Sequence, residues 1–139
     1  MSPSADAPKP SSPAEVLGLS AGQIVQEVGY DDDVDHDLRD SVEDTIGEEL
    51  EDEDTQEIVD AVVLWWREGD GDLTDAMVDT LRNIDAGAPV WVMTPKAGRD
   101  GHVMPGDIQE SAGIAGLRVM SSVSVARDWT GTRLASRTN

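Results

Sequence analysis

Residues 61–66 read Ala61-Val-Val-Leu-Trp-Trp66, six apolar side chains in a row. A strand with one wet face alternates apolar and polar residues, and this run has nothing polar to turn outward. It therefore belongs inside a parallel sheet covered on both faces. Trp65 and Trp66 must then point to opposite sides.

Outward from this run, short apolar stretches alternate with amphipathic helical patterns. Upstream, Gln23-Ile-Val-Gln-Glu-Val28 reads as a strand ended by Gly29-Tyr30. Asp35 or Asp37 then caps a helix with Leu38, Val42 and Ile46 at helical spacing, stopped by Gly47. Glu48 to Asp54 is too charged for a core and reads as an exposed connection. Downstream, Asp72 caps a helix with Leu73, Ala76, Met77, Leu81 and Ile84 on one stripe, closed by Gly87. Val90-Trp-Val-Met93 is a third strand. Pro105-Gly-Asp107 opens a helix carrying Ile108, Ala112 and Ala115, which Gly116 ends. Leu117–Val125 and Trp129–Leu134 are two strands whose connection, Ala126-Arg-Asp128, is too short for a crossover, so they run antiparallel.

This order predicts one α/β domain over residues 14–139. Its sheet is open, twisted and mostly parallel, with about five strands, helices on both faces and a C-terminal antiparallel strand. Residues 1–13, rich in Ser, Pro and Ala, are expected to form a disordered tail. The reversed last strand resembles the end of a Rossmann-like methyltransferase. The cofactor loop is a different matter. After the first strand comes Gly29-Tyr-Asp-Asp-Asp33 rather than a Gly-x-Gly turn, so no close backbone approach to a nucleotide or adenosyl group is expected.

The charge is concentrated. The 139 residues carry a formal net charge of −19, and sixteen of the 29 acids fall between Tyr30 and Asp60 beside a single arginine, Arg39. Such potential repels nucleic acid and anionic membranes and suits a basic protein surface or a cation. The chain has no cysteine, which excludes disulfides, thiolate metal sites and cysteine catalysis. No apolar run is long enough to span a bilayer. The stretch MSPSADAPKPSSP has neither the basic nor the apolar region of a secretory signal, so a cytoplasmic location is expected.

Four stretches, QIVQEVGYDDDVD (23–35), DAVVLWW (60–66), TPKAGRDGH (94–102) and DWTGTRL (128–134), together resemble one family. It is the actinobacterial branch of the proteins classed as domain of unknown function 3052. The likeness in order and spacing covers nearly all of the chain from Ala14 onward. Trp91–Lys96 and Trp129–Gly131 match the Trp-x-x-x-Pro-Lys and Trp-x-Gly elements of more distant members. The resemblance implies a small α/β fold and a bacterial cytosolic protein, and no activity.

Three sets of residues are candidates for function. Asp31, Asp32, Asp33, Asp35 and Asp37 form an acidic cluster that can dock a basic partner, or simply cap the following helix. Within it Asp31, Asp33 and Asp35 offer hard oxygen ligands, but a calcium loop needs Gly where His36 stands and Glu where Val42 stands. Lys96, Arg99 and His102, on a Gly-rich loop at the sheet's carboxyl edge, could hold a small anion, or Lys96 and Arg99 could simply neutralise Asp31–Asp33. Trp66 and Trp129 are interface anchors if exposed and core residues if not. His102 has no positioned nucleophile near it, and no catalytic set is assembled. The expectation is a non-enzymatic regulatory or adaptor module without a cofactor, monomeric or homodimeric. Its acidic face over 31–60 would engage a basic protein partner, and a sensor for a small anion at 94–102 is the alternative.

Overall fold

A computed structural model describes residues 13–136. Its elements run α1 (Pro13–Val16), β1 (Val25–Val28), α2 (His36–Ile46), β2 (Ala61–Trp65), α3 (Leu73–Thr80), β3 (Val90–Pro95), α4 (Pro105–Ala115), β4 (Leu117–Ser124) and β5 (Trp129–Ser136). The five strands form one sheet in the order β1-β2-β3-β5-β4. β1, β2 and β3 are parallel, and β5 pairs antiparallel with both β3 and β4. The α/β class, the strand count and the reversed last strand match the sequence reading. The tail expected over 1–13 lies outside the described residues apart from Pro13, where α1 begins.

Local chemistry sets most boundaries. Asp35 caps α2 by accepting from the Leu38 amide, and Asp72 caps α3 by accepting from the Asp75 amide. Gly47 and Gly116 end α2 and α4 with φ of 81° and 85°, a conformation that other residues adopt with strain. One expectation fails. The helix predicted to reach Gly87 stops at Thr80. Asn83 and Asp85 instead exchange backbone hydrogen bonds with Val59 at 2.7 and 2.9 Å, and this tertiary pairing overrides the helical pattern of Leu81 and Ile84.

Both faces of the sheet are packed. One core gathers Leu38, Val42 and Ile46 of α2 against Val25, Val63, Trp65, Trp91 and Trp129. The other gathers Leu73, Met77, Ile108 and Ala112 of α3 and α4 against Val62, Leu64, Val90, Val92 and Leu134. Two crossovers of one hand that step the same way would put α2 and α3 on one face. They lie on opposite faces because the chain first passes outside β1. There Glu51 bridges Gln26 in parallel, with backbone bonds of 2.8 Å to Glu27 and Val25, before the chain returns to β2. The winding thus reverses at β1, and open α/β sheets hold their ligands in the crevice at the carboxyl ends of such strands.

Candidate functional site

The carboxyl edge of β1 and β2 is occupied by a side chain of the protein itself. Arg67, two residues past the end of β2, reaches back across the edge. Its Nη1 donates to the Gly29 carbonyl at 2.8 Å, and its Nε and Nη2 grip Asp33 at 3.0 and 2.6 Å. Asp70 takes a further bond, and the guanidinium lies 5.3 Å from the centroid of the Trp129 ring. Burial alone would lower the Arg67 pKa, but the hydrogen bonds and charges of Asp33 and Asp70 outweigh it and the net shift is upward. The guanidinium stays charged and satisfies strand-end carbonyls that would otherwise face the crevice.

Gly29 closes the same corner from the other side. At φ 81°, a Cβ built on it would lie 2.3 Å from the carbonyl oxygen of Trp65. The missing side chain therefore serves strand-to-strand approach rather than contact with a phosphate or adenosyl group.

Beneath this edge a buried charge ties three elements together. Glu27 of β1, with a side chain 7% exposed, accepts from Arg39 Nε and Nη2 of α2 at 2.6 and 3.0 Å, and from Trp65 Nε1 of β2 at 2.9 Å. The hydrogen bond to Glu27 raises the Arg39 pKa against the opposing effect of burial, with the charges of Glu27 and Glu43 adding to the rise. Arg39 also lies 4.8 Å over the ring of Tyr30.

Between loop 53–56 and α3 runs a crevice of about 730 Å³. Gln26, Val28 and Leu64 form its floor, Trp66, Ala76 and Thr80 one wall, and Tyr30 and Asp31 its mouth. It exists because β1 has a helix on only one face. Asp31, Glu53, Asp54, Asp70 and Asp79 supply carboxylates, against two arginines, Arg67 and Arg82. Both are already paired, Arg67 with Asp33 and Asp70, and Arg82 with Asp79 at 3.4 Å. The crevice is thus negative, with the half-buried Trp66 indole as an apolar wall. It can hold a cation against an aromatic surface; it assembles no nucleophile and base.

The predicted residues fall as follows. Asp31, Asp32, Asp33 and Asp37 are exposed and Asp35 is the α2 cap. Asp33 is taken by Arg67, not by Lys96 or Arg99 as the sequence suggested, because Arg67 follows β2 directly and β2 borders β1. Among the described residues no three carboxylate or histidine groups come together to hold a metal, so Asp31, Asp33 and Asp35 do not converge. Arg99 pairs with Asp128, the Lys96 amide bonds the Asp128 carbonyl at 2.9 Å, and His102 Nδ1 lies 2.9 Å from the Pro95 carbonyl. Arg99 and His102 thus each have a side-chain partner in their own part of the fold, while Lys96 is tied there by its backbone amide. Trp129 is no anchor: it is 3% exposed, stands edge-on to Trp65 and donates to the Asp33 carbonyl at 3.2 Å. Trp66 alone keeps an open side. Sequence reasoning missed Glu27 and Arg67. A lone acid on an inward strand position was the signal for Glu27; nothing local marked Arg67.

Comparison with known proteins agrees with this architecture. Residues 14–138 match the family described as Protein of unknown function (DUF3052), and the chain belongs to that family. An uncharacterised protein of Mycobacterium tuberculosis is 46% identical over 124 residues, covering 89% of this chain and 78% of its own length, and Mycobacterium bovis has one equally similar. Among solved structures, the pyocyanin biosynthetic protein PhzM superposes with a TM-score of 0.62 at 14% identity, over 90% of this chain and 54% of its own. The chain thus spans about half of that protein. A SAM-dependent methyltransferase from Aquifex aeolicus gives 0.56 at 16% identity over 88% of each chain. At such identities the likeness is one of fold. No helix among the described residues is long and apolar enough to cross a membrane.

Proposed function

We propose that this member of the family is a non-enzymatic binding module that docks a basic segment of a partner protein in the crevice between loop 53–56 and α3. The observation that carries the proposal is the charge of that crevice. Five carboxylates line it, and the two arginines among them are already paired, so the uncompensated charge faces an aromatic wall. Concentrated like charge steers a partner in, and Trp66 gives an incoming Arg or Lys a surface to stack on. The exposed acids of α2, Asp37, Asp40 and Asp44, and of the loop, Glu48 and Glu49, extend the field along the β1 side. Tyr30 and Ile58, 50% and 59% exposed, add apolar contacts on the same acidic segment.

The test is a titration with synthetic hexa-arginine and hexa-lysine followed by tryptophan fluorescence across a salt series. Affinity is expected to fall at least tenfold between about 50 and 200 mM salt, and to be lost in the Asp31→Asn/Glu53→Gln/Asp54→Asn variant. Binding that ignores salt, or that persists in the triple variant, defeats the proposal.

A second reading uses the same crevice for a small cationic cofactor, and it rests on the methyltransferases among the structural neighbours. Arg67 on the strand-end carbonyls and the packed Gly29 corner weigh against it. Calorimetry with adenosyl methionine separates the two: a ligand at about 100 times its dissociation constant stabilises by about 2.7 kcal/mol, and the basic-segment reading expects no shift.

A further inference from the structure

A second cavity lies on the other half of the sheet, between α4 and the strands β3, β5 and β4, with a volume of about 270 Å³. Val103, Ile108, Pro105 and Val119 give it apolar walls. Its floor is unusual for a core. Moving along the sheet from the amino end of β3, the residues facing α4 begin with Val90 beside Leu134. They continue with Val92 beside Thr132, and end with Thr94 beside Thr130. Ser122 lies next to Thr132 on β4. The inward face thus changes from aliphatic to hydroxylic where it meets the cavity.

Thr94 and Thr132 are 2% and 5% exposed, and neither hydroxyl is hydrogen-bonded to another described residue. Neither hydroxyl is among the fully buried, unsatisfied atoms of the described residues, so both reach the cavity and keep bonding capacity for what fills it. One further group at the cavity has capacity to spare. The first turn of α4 borders the cavity with the Gly106 amide, since Pro105 has no N–H and the Asp107 and Ile108 amides bond the Met104 carbonyl at 3.0 and 3.3 Å.

We infer that this cavity is a binding site for a small carboxylic acid with an apolar body. The carboxylate accepts from the Thr94 and Thr132 hydroxyls near the positive end of α4, and the body lies against Val103, Ile108 and Val119. At roughly 30 Å³ per water the space equals about nine waters, so the ligand has about ten non-hydrogen atoms. The site needs neither Lys96 nor Arg99 and is independent of the acidic crevice.

The experiment is NMR titration of the whole chain with benzoate, and with benzamide as the uncharged isostere, alongside a Thr94→Val/Thr132→Val variant. Benzoate is expected to move the resonances of Thr94, Thr132 and Ile108, with a dissociation constant at or below about 1 mM. Benzamide should bind at least tenfold more weakly. The double variant should weaken benzoate at least tenfold while its melting temperature holds or rises, because only unpartnered hydroxyls are removed; hydroxyls with a structural role would lower it. The inference is overturned if benzoate leaves these resonances unmoved at about twenty times that concentration. It is equally overturned if benzamide binds as well, or if the variant melts earlier and still binds benzoate normally.

Discussion

Replacing Arg39 by Met keeps the apolar stem of the side chain and deletes its charge. Glu27, 7% exposed in the parent, is then left with Trp65 Nε1 as its remaining side-chain partner. Removing one member of a buried pair costs about 3–5 kcal/mol. Arg39 is 23% exposed, so water can reach part of the vacated space, and the low end of that range applies. A loss of about 3 kcal/mol is a little over a hundredfold in the folding equilibrium. With a urea slope of about 1.5 kcal/mol per molar, the midpoint should drop by about 2 M. Adding Glu27→Gln removes the stranded charge yet keeps a carbonyl for the Trp65 indole. The double variant should therefore recover most of the loss and sit about 1 kcal/mol below the parent. Urea denaturation followed by tryptophan fluorescence reads all four corners of the cycle, and Trp65 reports from inside the network. If Arg39→Met costs under about 0.5 kcal/mol, or if the two losses simply add, the claim that this charge pair clamps α2 onto the sheet is wrong.

Gly29→Ala should destabilise by more than about 3 kcal/mol, since strain at positive φ adds to a clash with backbone, while Gly47→Ala, at the same φ with open space around it, should lose only about 1 kcal/mol. Thermal melts of the two separate clash from strain. Trp129→Ala should cost about 3–5 kcal/mol as a core truncation, whereas Trp66→Ala should chiefly weaken hexa-arginine binding; equal stability losses in the two would contradict the burial difference. The arginine ends of the ion pairs should add no pH dependence between about pH 6 and 10. Both folded-state pKa values are raised, so their stabilisation is complete below the ordinary arginine value and lost only above the still higher folded one. A gap between parent and Arg67→Met urea midpoints that closes before pH 10 would refute that assignment.

What could be read in advance follows the range of the forces involved. Asp35, Asp72, Gly47 and Gly116 announce helix ends because capping is settled within four residues. The all-apolar run at 61–65 announces a buried parallel strand for the same local reason. Arg67 could not be read this way. Its partners, Gly29 and Asp33, are 38 and 34 residues away, and only the adjacency of β1 and β2 brings them together. Residues 81–84 misled because their helical stripe competes with pairing to Val59, whose value depends on where β2 sits. The crevice was equally hidden. It is made by the uncovered face of β1, and the count of helices on each side appears only once the passage of Glu51 around the outer edge is known.

That passage has a consequence for how the molecule comes apart. Residues 47–58 contribute little to either core beyond Leu50, and what holds them to the body is a one-residue bridge to Gln26 and a few hydrogen bonds, from the Gln26 and Asn83 side chains and the Gly29 amide among others. Segments of this kind open at a free energy below that of global unfolding. Amides there should exchange with solvent long before those of β2 and β3. A partner that grips the charged strap would thus meet a handle able to peel away while the five strands stay shut.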